Sequence, residues 1–177
     1  HLGGLVELPG RSWQIVVVEQ GAIWLDDADG SEQISGPLIL WISDGSDQRV
    51  RACAGSLVGH LQLGEATLSN AIGHKPEAVD LRLMAARSFH LSLAGDDGLR
   101  RDVQGALDLI LREAHERAPG YETVAEAQIR VLLVLMWRHA IRPNELRLAS
   151  ASSAVILQRF RQLVETHFRD RWSVARY

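Results

Sequence analysis

Cysteine is almost absent from this sequence: Cys53 is the only one among 177 residues. A single cysteine excludes an intrachain disulfide and fits a protein of a reducing compartment. Its simplest interpretation is a small buried core thiol. Long apolar runs are lacking too. The longest, residues 131–137 (VLLVLMW), is far shorter than the ~20 residues that cross a bilayer. With no signal-peptide pattern at the N-terminus, we expect a cytoplasmic protein that makes no membrane contact.

Catalytic and metal-binding motifs are also missing. The histidines from His60 to His167 show no H-x-H or H-x₃-H spacing, and His1 is interpreted as a chain end or a tag remnant. The sequence contains no phosphate-binding loop, dinucleotide fingerprint or nucleophile elbow. We therefore expect no catalytic residues, no metal and no cofactor.

Charge is distributed unevenly along the chain. The net charge is −3, but the residues from Arg130 onward carry nine arginines and only three acidic residues. An acidic body with a basic C-terminal end indicates a nucleic-acid partner at that end. The alternative at this point is a solvated helix face with no partner.

The first part of the chain, up to Gly64, predicts short strands. Apolar and β-branched stretches alternate with Gly, Asp and Pro turns. The predicted strands are residues 12–20, 22–27, 31–35, 38–43, 48–52 and 56–63. Strands at this spacing indicate a sandwich or a barrel. Within residues 65–94 the patterns are weaker, with a short helix predicted at 79–86 and a returning strand at 87–94.

Two helices are predicted next. Apolar residues recur at helical spacing between 99 and 114, and Pro119-Gly120 ends that helix. Thr123 and Glu126 have capping-box spacing for a second helix that continues to about residue 140. Its central stretch is apolar on nearly every side and must be covered on two sides. A second subunit and complete burial within the monomer both remain open as the second cover.

The last part begins with a Pro- and Ser-containing stretch, residues 142–153, which is typical of a linker. Residues 154–169 then predict an amphipathic helix, with Ile156, Phe160 and Phe168 on one face. A turn leads to Ser173, a suitable N-cap for a helix that begins at Val174. Because this second helix has a single turn before Tyr177, we expect part of the function to lie beyond these residues.

The stretch LQRFRQLVETHFRDRWSVARY, together with the order of strands, helix pair, linker and basic helix, resembles the AraC/XylS family of bacterial transcription regulators. The resemblance implies an α+β protein: a cupin-like β barrel (double-stranded β-helix), an antiparallel helix pair and a C-terminal helix. It implies four regions: an effector-binding barrel at 1–94, dimerisation helices at 95–141, a linker at 142–153, and the start of a helix-turn-helix DNA-binding domain at 154–177. The implied partners are a second copy, a small-molecule effector, and double-stranded DNA bound through a domain that continues beyond Tyr177.

Residues are carried over from the resemblance as follows. The predicted dimer interface comprises Leu99, Val103, Leu107, Ile110, Leu111, Val131 and Leu135. The predicted DNA-proximal residues are Arg159, Arg161, Arg169 and Arg176, which suit phosphate contacts. For these arginines a solvent-facing role is the alternative.

Metal-binding cupins offer a test of enzymatic function. Aligned on Gly21 and Gly45, their metal-ligand positions fall near Leu8 and Gly10 and at Gln14 and Gln48. None of these residues is a usual ligand for zinc or iron. The resemblance therefore implies a sensor without metal chemistry.

The same positions suit a small-ligand pocket of apolar walls and a few orienting polar groups. If Gln14 faces the interior, strand alternation places Val16 there, and the same parity applies to Gln48 and Val50. The predicted ligand-binding residues are Gln14, Val16, Trp24, Trp41, Gln48, Val50 and His60. Packing alone remains the alternative for both tryptophans and both glutamines. A different class of function, a stand-alone metal-independent cupin enzyme or small-molecule-binding protein, also remains open.

Overall fold

The computed structural model describes residues 12–140, all of which belong to the first of two compact units, His1–Arg147. The second unit, Leu148–Tyr177, lies outside the described residues, as does the predicted linker. Seven strands and four helices follow one another: β1 (Ser12–Gln20), β2 (Ala22–Asp27), β3 (Gly30–Ser35), β4 (Leu38–Ile42), β5 (Arg49–Ala52), β6 (Leu57–Gly64), α1 (Glu65–Ile72), α2 (Ala78–Ala85), β7 (Phe89–Ser92), α3 (Asp97–Glu116) and α4 (Tyr121–Ala140).

The strands form two antiparallel sheets. The large sheet has the order β6-β1-β4-β7 and the small sheet the order β3-β2-β5. The predicted α+β class is confirmed. The predicted cupin-like barrel is not confirmed. Within residues 12–140 the edge strands β5 and β6 do not pair with each other, so the two sheets form an open sandwich and not a closed barrel.

Alternation along β1 and β4 divides their side chains between two cores. Val16 and Val18 join Leu40 in the core between the two sheets. The intervening Ile15 and Val17 face the helices instead. Successive side chains in a strand point to opposite faces. A strand buried on both faces, such as β1 or β4, is therefore apolar at nearly every position.

The helices cover the outer face of the large sheet. Helices α3 and α4 pack on each other, and their opposite ends meet where Asp96, just before α3, lies 3.5 Å from His139 near the end of α4. The pair is therefore antiparallel. Asp96 also caps α3, since its Oδ1 accepts the Leu99 backbone N–H at 2.9 Å.

The helix starts differ from the sequence expectations at two places. Helix α4 begins at Tyr121, so Thr123 lies inside its first turn and does not cap it. Helix α1 was not predicted at all. It follows β6 without a break, and its N-cap position is Gly64, which has no side chain to bond the first backbone N–H groups.

The predicted dimer interface needs correction. Leu99, Val103 and Ile110 are at most 6% exposed and pack into the helix-facing core of the same chain. These three side chains are therefore already covered within the subunit and offer little surface to a partner. Leu107 and Leu135 are partly buried against that core, while Leu111 and Val131 are 54% and 43% exposed. The helical spacing identified an apolar helix, but it did not separate the face toward the sheet from the face toward solvent.

Candidate functional site

A cleft of about 540 Å³ opens between the unpaired edges of the two sheets. Its walls come from β1 and β6 of the large sheet, from β5 with the residue preceding it, and from β2. The nine lining residues are Gln14, Val16, Asp26, Gln48, Arg49, Val50, Arg51, Val58 and His60. The volume falls in the range of roughly 300–1,000 Å³ that is typical of small-molecule sites.

The polar part of the large-sheet wall is a hydrogen-bonded pair. His60 stands opposite Val16 in the β1–β6 register, next to the Gln14–Gln62 pair. The His60 Nε2–H donates to Gln14 Oε1 at 3.1 Å. Burial lowers the pKa of the His60 imidazole below its ordinary value of 6.5, because a charged ring loses hydration there. The ring is therefore neutral at pH 7, and this wall carries no charge.

The small-sheet wall carries charge. Arg51 clamps Asp26 with two bonds, from Nε to Oδ2 at 2.7 Å and from Nη2 to Oδ1 at 2.9 Å. The Ser31 hydroxyl also donates to Asp26. The bonds from Arg51 and then from Ser31 lower the pKa of Asp26 to about 2. Arg49 stands opposite Asp26 in the β2–β5 register and is exposed.

Gln48 is the polar residue of the cleft whose bonding is incomplete. Its backbone N–H donates to Ser46 Oγ at 3.3 Å, which holds the turn before β5. Its side-chain Oε1 is buried and is reached by no donor from residues 12–140. A buried acceptor of this kind costs free energy unless something donates to it.

Five of the seven residues predicted to bind ligand meet at this cleft. They are Gln14, Val16, Gln48, Val50 and His60. No protein-family model and no curated protein matches the chain. The convergence of these five side chains from separate strands is thus the main functional evidence that the described residues offer.

Both predicted tryptophans lie elsewhere. Trp41 is 0% exposed in the helix-facing core, where its indole Nε1–H donates to the Ala85 carbonyl oxygen at 3.1 Å. It packs on the face of the large sheet opposite the cleft. Trp24 alternates with the buried Ile23 and Leu25, so its 37% exposed side chain is on the outer face of the small sheet. Neither tryptophan lines the cleft, and the packing alternative holds for Trp41.

Four lining residues were missed by the sequence analysis: Asp26, Arg49, Arg51 and Val58. Val58 could have been found, because it lies two residues before His60 and shares its parity. The charged residues could not, since parity assigns Arg49 and Arg51 to the outer face. Arg49 and Arg51 border the cleft because β5 is an edge strand, and Asp26 of β2 lies opposite Arg49.

Some predicted positions fall outside the described residues. These are Leu8 and Gly10 in the cupin comparison, and the four DNA-proximal residues Arg159, Arg161, Arg169 and Arg176. Within residues 12–140, no group of three or more His, Cys, Asp or Glu side chains is placed to hold a metal ion. None of the helices in that range combines the length and the apolar character needed to span a bilayer.

Proposed function

We propose that this chain is the effector-sensing and dimerisation region of an AraC-type DNA-binding transcription regulator. The observation that carries the proposal is the cleft, where Gln14, Gln48 and His60 converge with apolar walls, while a helix pair packs on the other face of the large sheet. The resemblance of residues 154–177 to the start of a helix-turn-helix domain connects that cleft to DNA. Ligand in the cleft would regulate DNA binding only if it favours one arrangement of the two regions.

Dimerisation is proposed through the solvent face of the helix pair. Of five large apolar side chains exposed within residues 12–140, three lie on α3 and α4: Leu111, Val124 and Val131. The partly buried Leu107 and Leu135 lie at helical spacing from them. A second copy that covers this surface supplies the second cover that the apolar helix requires.

The dimer is tested by sedimentation equilibrium of the full chain. A double substitution, Leu111→Glu with Val131→Glu, is expected to convert a dimer into a monomer, because two charges would be buried at the interface. Leu57→Glu is the matched control, since Leu57 is 52% exposed on β6. A wild-type chain that stays monomeric at high micromolar concentration would contradict this part of the proposal.

The regulator is tested with the native reading frame continued past Tyr177. We expect the downstream sequence to encode a second helix-turn-helix pattern. The purified longer protein should retard its own upstream DNA in a gel-shift assay in the presence of excess non-specific DNA. A native stop codon after Tyr177, with no such retardation by the chain, would contradict the proposal that this is part of a transcription regulator.

A stand-alone function in the same cleft is the second candidate, and His60 is the observation that favours it. A neutral imidazole beside an open cleft is a suitable proton acceptor. Its Nε2–H is committed to Gln14, and the Asp26 carboxylate of the cleft is clamped by Arg51. Proton transfer in the cleft would therefore depend on His60 alone. Because no second group within residues 12–140 is available for acid–base catalysis there, the cleft is better suited to ligand binding than to an enzymatic reaction.

A further inference from the structure

The cleft contains one buried group that calls for a hydrogen-bond donor. Gln48 Oε1 has no donor among residues 12–140, whereas the neighbouring amide of Gln14 is already bonded to His60. An unmet buried acceptor costs free energy, and a hydroxyl or N–H group in the cleft would relieve that cost once the Gln48 side chain turns its Oε1 toward it. The inner wall therefore selects for a ligand that carries a donor.

The edge of the cleft carries two arginines for one carboxylate. Asp26 is already held by Arg51 and Ser31, so the charge of Arg51 is compensated. Arg49 lies opposite Asp26 and helps to lower the pKa of that carboxyl, but within residues 12–140 it forms no hydrogen bond or ion pair with it, since Asp26 is bonded to Arg51. With two arginines and one carboxylate, this rim is positive and favours an anionic group.

Apolar surface separates these two polar features. Val16 projects from β1, Val50 from β5 and Val58 from β6, and all three line the cleft. Val50 and Val58 are partly buried at the border of the inter-sheet core. A ligand that spans the cleft must therefore have an apolar body.

We propose that the cleft binds a small organic acid whose carboxylate pairs with Arg49, whose apolar body contacts the three valines, and whose hydroxyl or N–H group donates to Gln48 Oε1. An arginine guanidinium matches a carboxylate in geometry and charge. This inference deepens the proposed function, since it names the chemical class of the effector, and it rests on that function only in taking the cleft as a ligand site.

Three matched probes test the ligand class by isothermal titration calorimetry on the full chain. The probes are 4-hydroxyphenylacetate, which has both groups, phenylacetate, which lacks the hydroxyl, and 4-hydroxyphenylacetamide, which lacks the charge. We expect the first to bind about fivefold more tightly than phenylacetate, for one hydrogen bond of about 1 kcal/mol. It should bind about tenfold more tightly than the amide, for one charge-assisted bond.

Two substitutions assign the preferences to residues. Arg49→Gln should bring the acid and the amide within about twofold of each other, and Gln48→Leu should do the same for 4-hydroxyphenylacetate and phenylacetate. Arg112→Gln, at an exposed arginine of α3, and Gln33→Leu, on the exposed strand β3, are the matched controls and should change neither ratio. Unfolding curves of each variant show whether it is folded.

The outcomes separate this inference from the regulator. Equal affinity for the acid and the amide, or no saturable binding of any probe at millimolar concentration, would overturn the organic-acid class. A charge preference that survives Arg49→Gln would also overturn it. If the acid binds with the expected ratios but the protein retards no DNA in the gel-shift assay, the ligand class is established and only the proposed role in transcription is contradicted.

Discussion

The two faces of the large sheet border cores of different size. The core between this sheet and the helices contains 22 buried apolar residues, whereas the core between the two sheets contains seven. The same strands supply both. Trp41 is fully enclosed on the first side, while Gln14 and His60 border an open cleft on the second. The difference indicates that the helix side holds the fold together, and that the small-sheet side is where incomplete packing leaves room for a ligand.

The largest effect should come from removing Trp41. Trp41→Ala deletes a side chain that is 0% exposed, together with one of the two indole N–H bonds to the Ala85 carbonyl oxygen; Trp13 donates the other. We expect a loss of about 4 kcal/mol in the free energy of unfolding, measured by urea denaturation. Trp24→Ala is the matched control on the other sheet and should cost less than about 1 kcal/mol. Equal losses would break the distinction between the two faces.

A second comparison lies within the helix pair. Ile110→Ala removes a side chain that is 3% exposed and should lower the free energy of unfolding by about 3 kcal/mol. Leu111→Ala, one residue on, changes a side chain that is 54% exposed. At protein concentrations low enough to keep the sample monomeric, this substitution should lower the free energy of unfolding in urea by about 0.5 kcal/mol. A cost as large as that of Ile110→Ala in a monomeric sample would show that Leu111 is buried within the subunit.

These comparisons show which parts of the fold the sequence predicts. The first six strands agree with the prediction to within one residue at each end, because β-branched runs between Gly and Asp turns have few alternatives. The seventh, predicted at 87–94, is shorter by two residues at each end. At the cleft wall, the position of Gln14 came from the comparison with cupins, and alternation along the same strand then added Val16. His60 was chosen because its side chain can form a hydrogen bond. A sequence pattern shows which residues share a face but not what covers that face. Helical spacing therefore assigned the buried Val103 to a dimer interface, and residue type alone assigned the enclosed Trp41 to the ligand site.

The pH dependence of stability should report on the cleft wall. The folded pKa of His60 lies below the unfolded value of 6.5. As the pH decreases below 6.5, the unfolded chain therefore binds a proton at His60 that the folded protein does not bind. The free energy of unfolding decreases with decreasing pH until the folded pKa is reached. His60→Gln should remove that share of the loss in urea midpoints measured on either side of pH 6.5. His115→Gln, at an exposed residue of α3, should leave the loss unchanged.

The smallest effect is expected at the rim, where the Asp26–Arg51 pair is open to solvent. The pKa of Asp26 is about 2 when folded and 3.8 when unfolded, so the stability contributed by the ionised carboxylate is complete above pH 3.8 and lost as the pH falls toward 2. Asp26→Asn should therefore be slightly less stable than wild type at neutral pH, and the difference should shrink across that window and in high salt.

Asp47→Asn, at an exposed position shortly before β5, is the matched control. Its stability difference from wild type should not shrink across that pH window or in high salt. If Asp26→Asn instead cost as much as Ile110→Ala, the rim would be part of the structural core. The sandwich would then depend on its polar edge for stability, and the contrast between a packed face and a binding face would have to be abandoned. A small, salt-sensitive effect leaves the rim charges free to act on a ligand, since little of the fold depends on them.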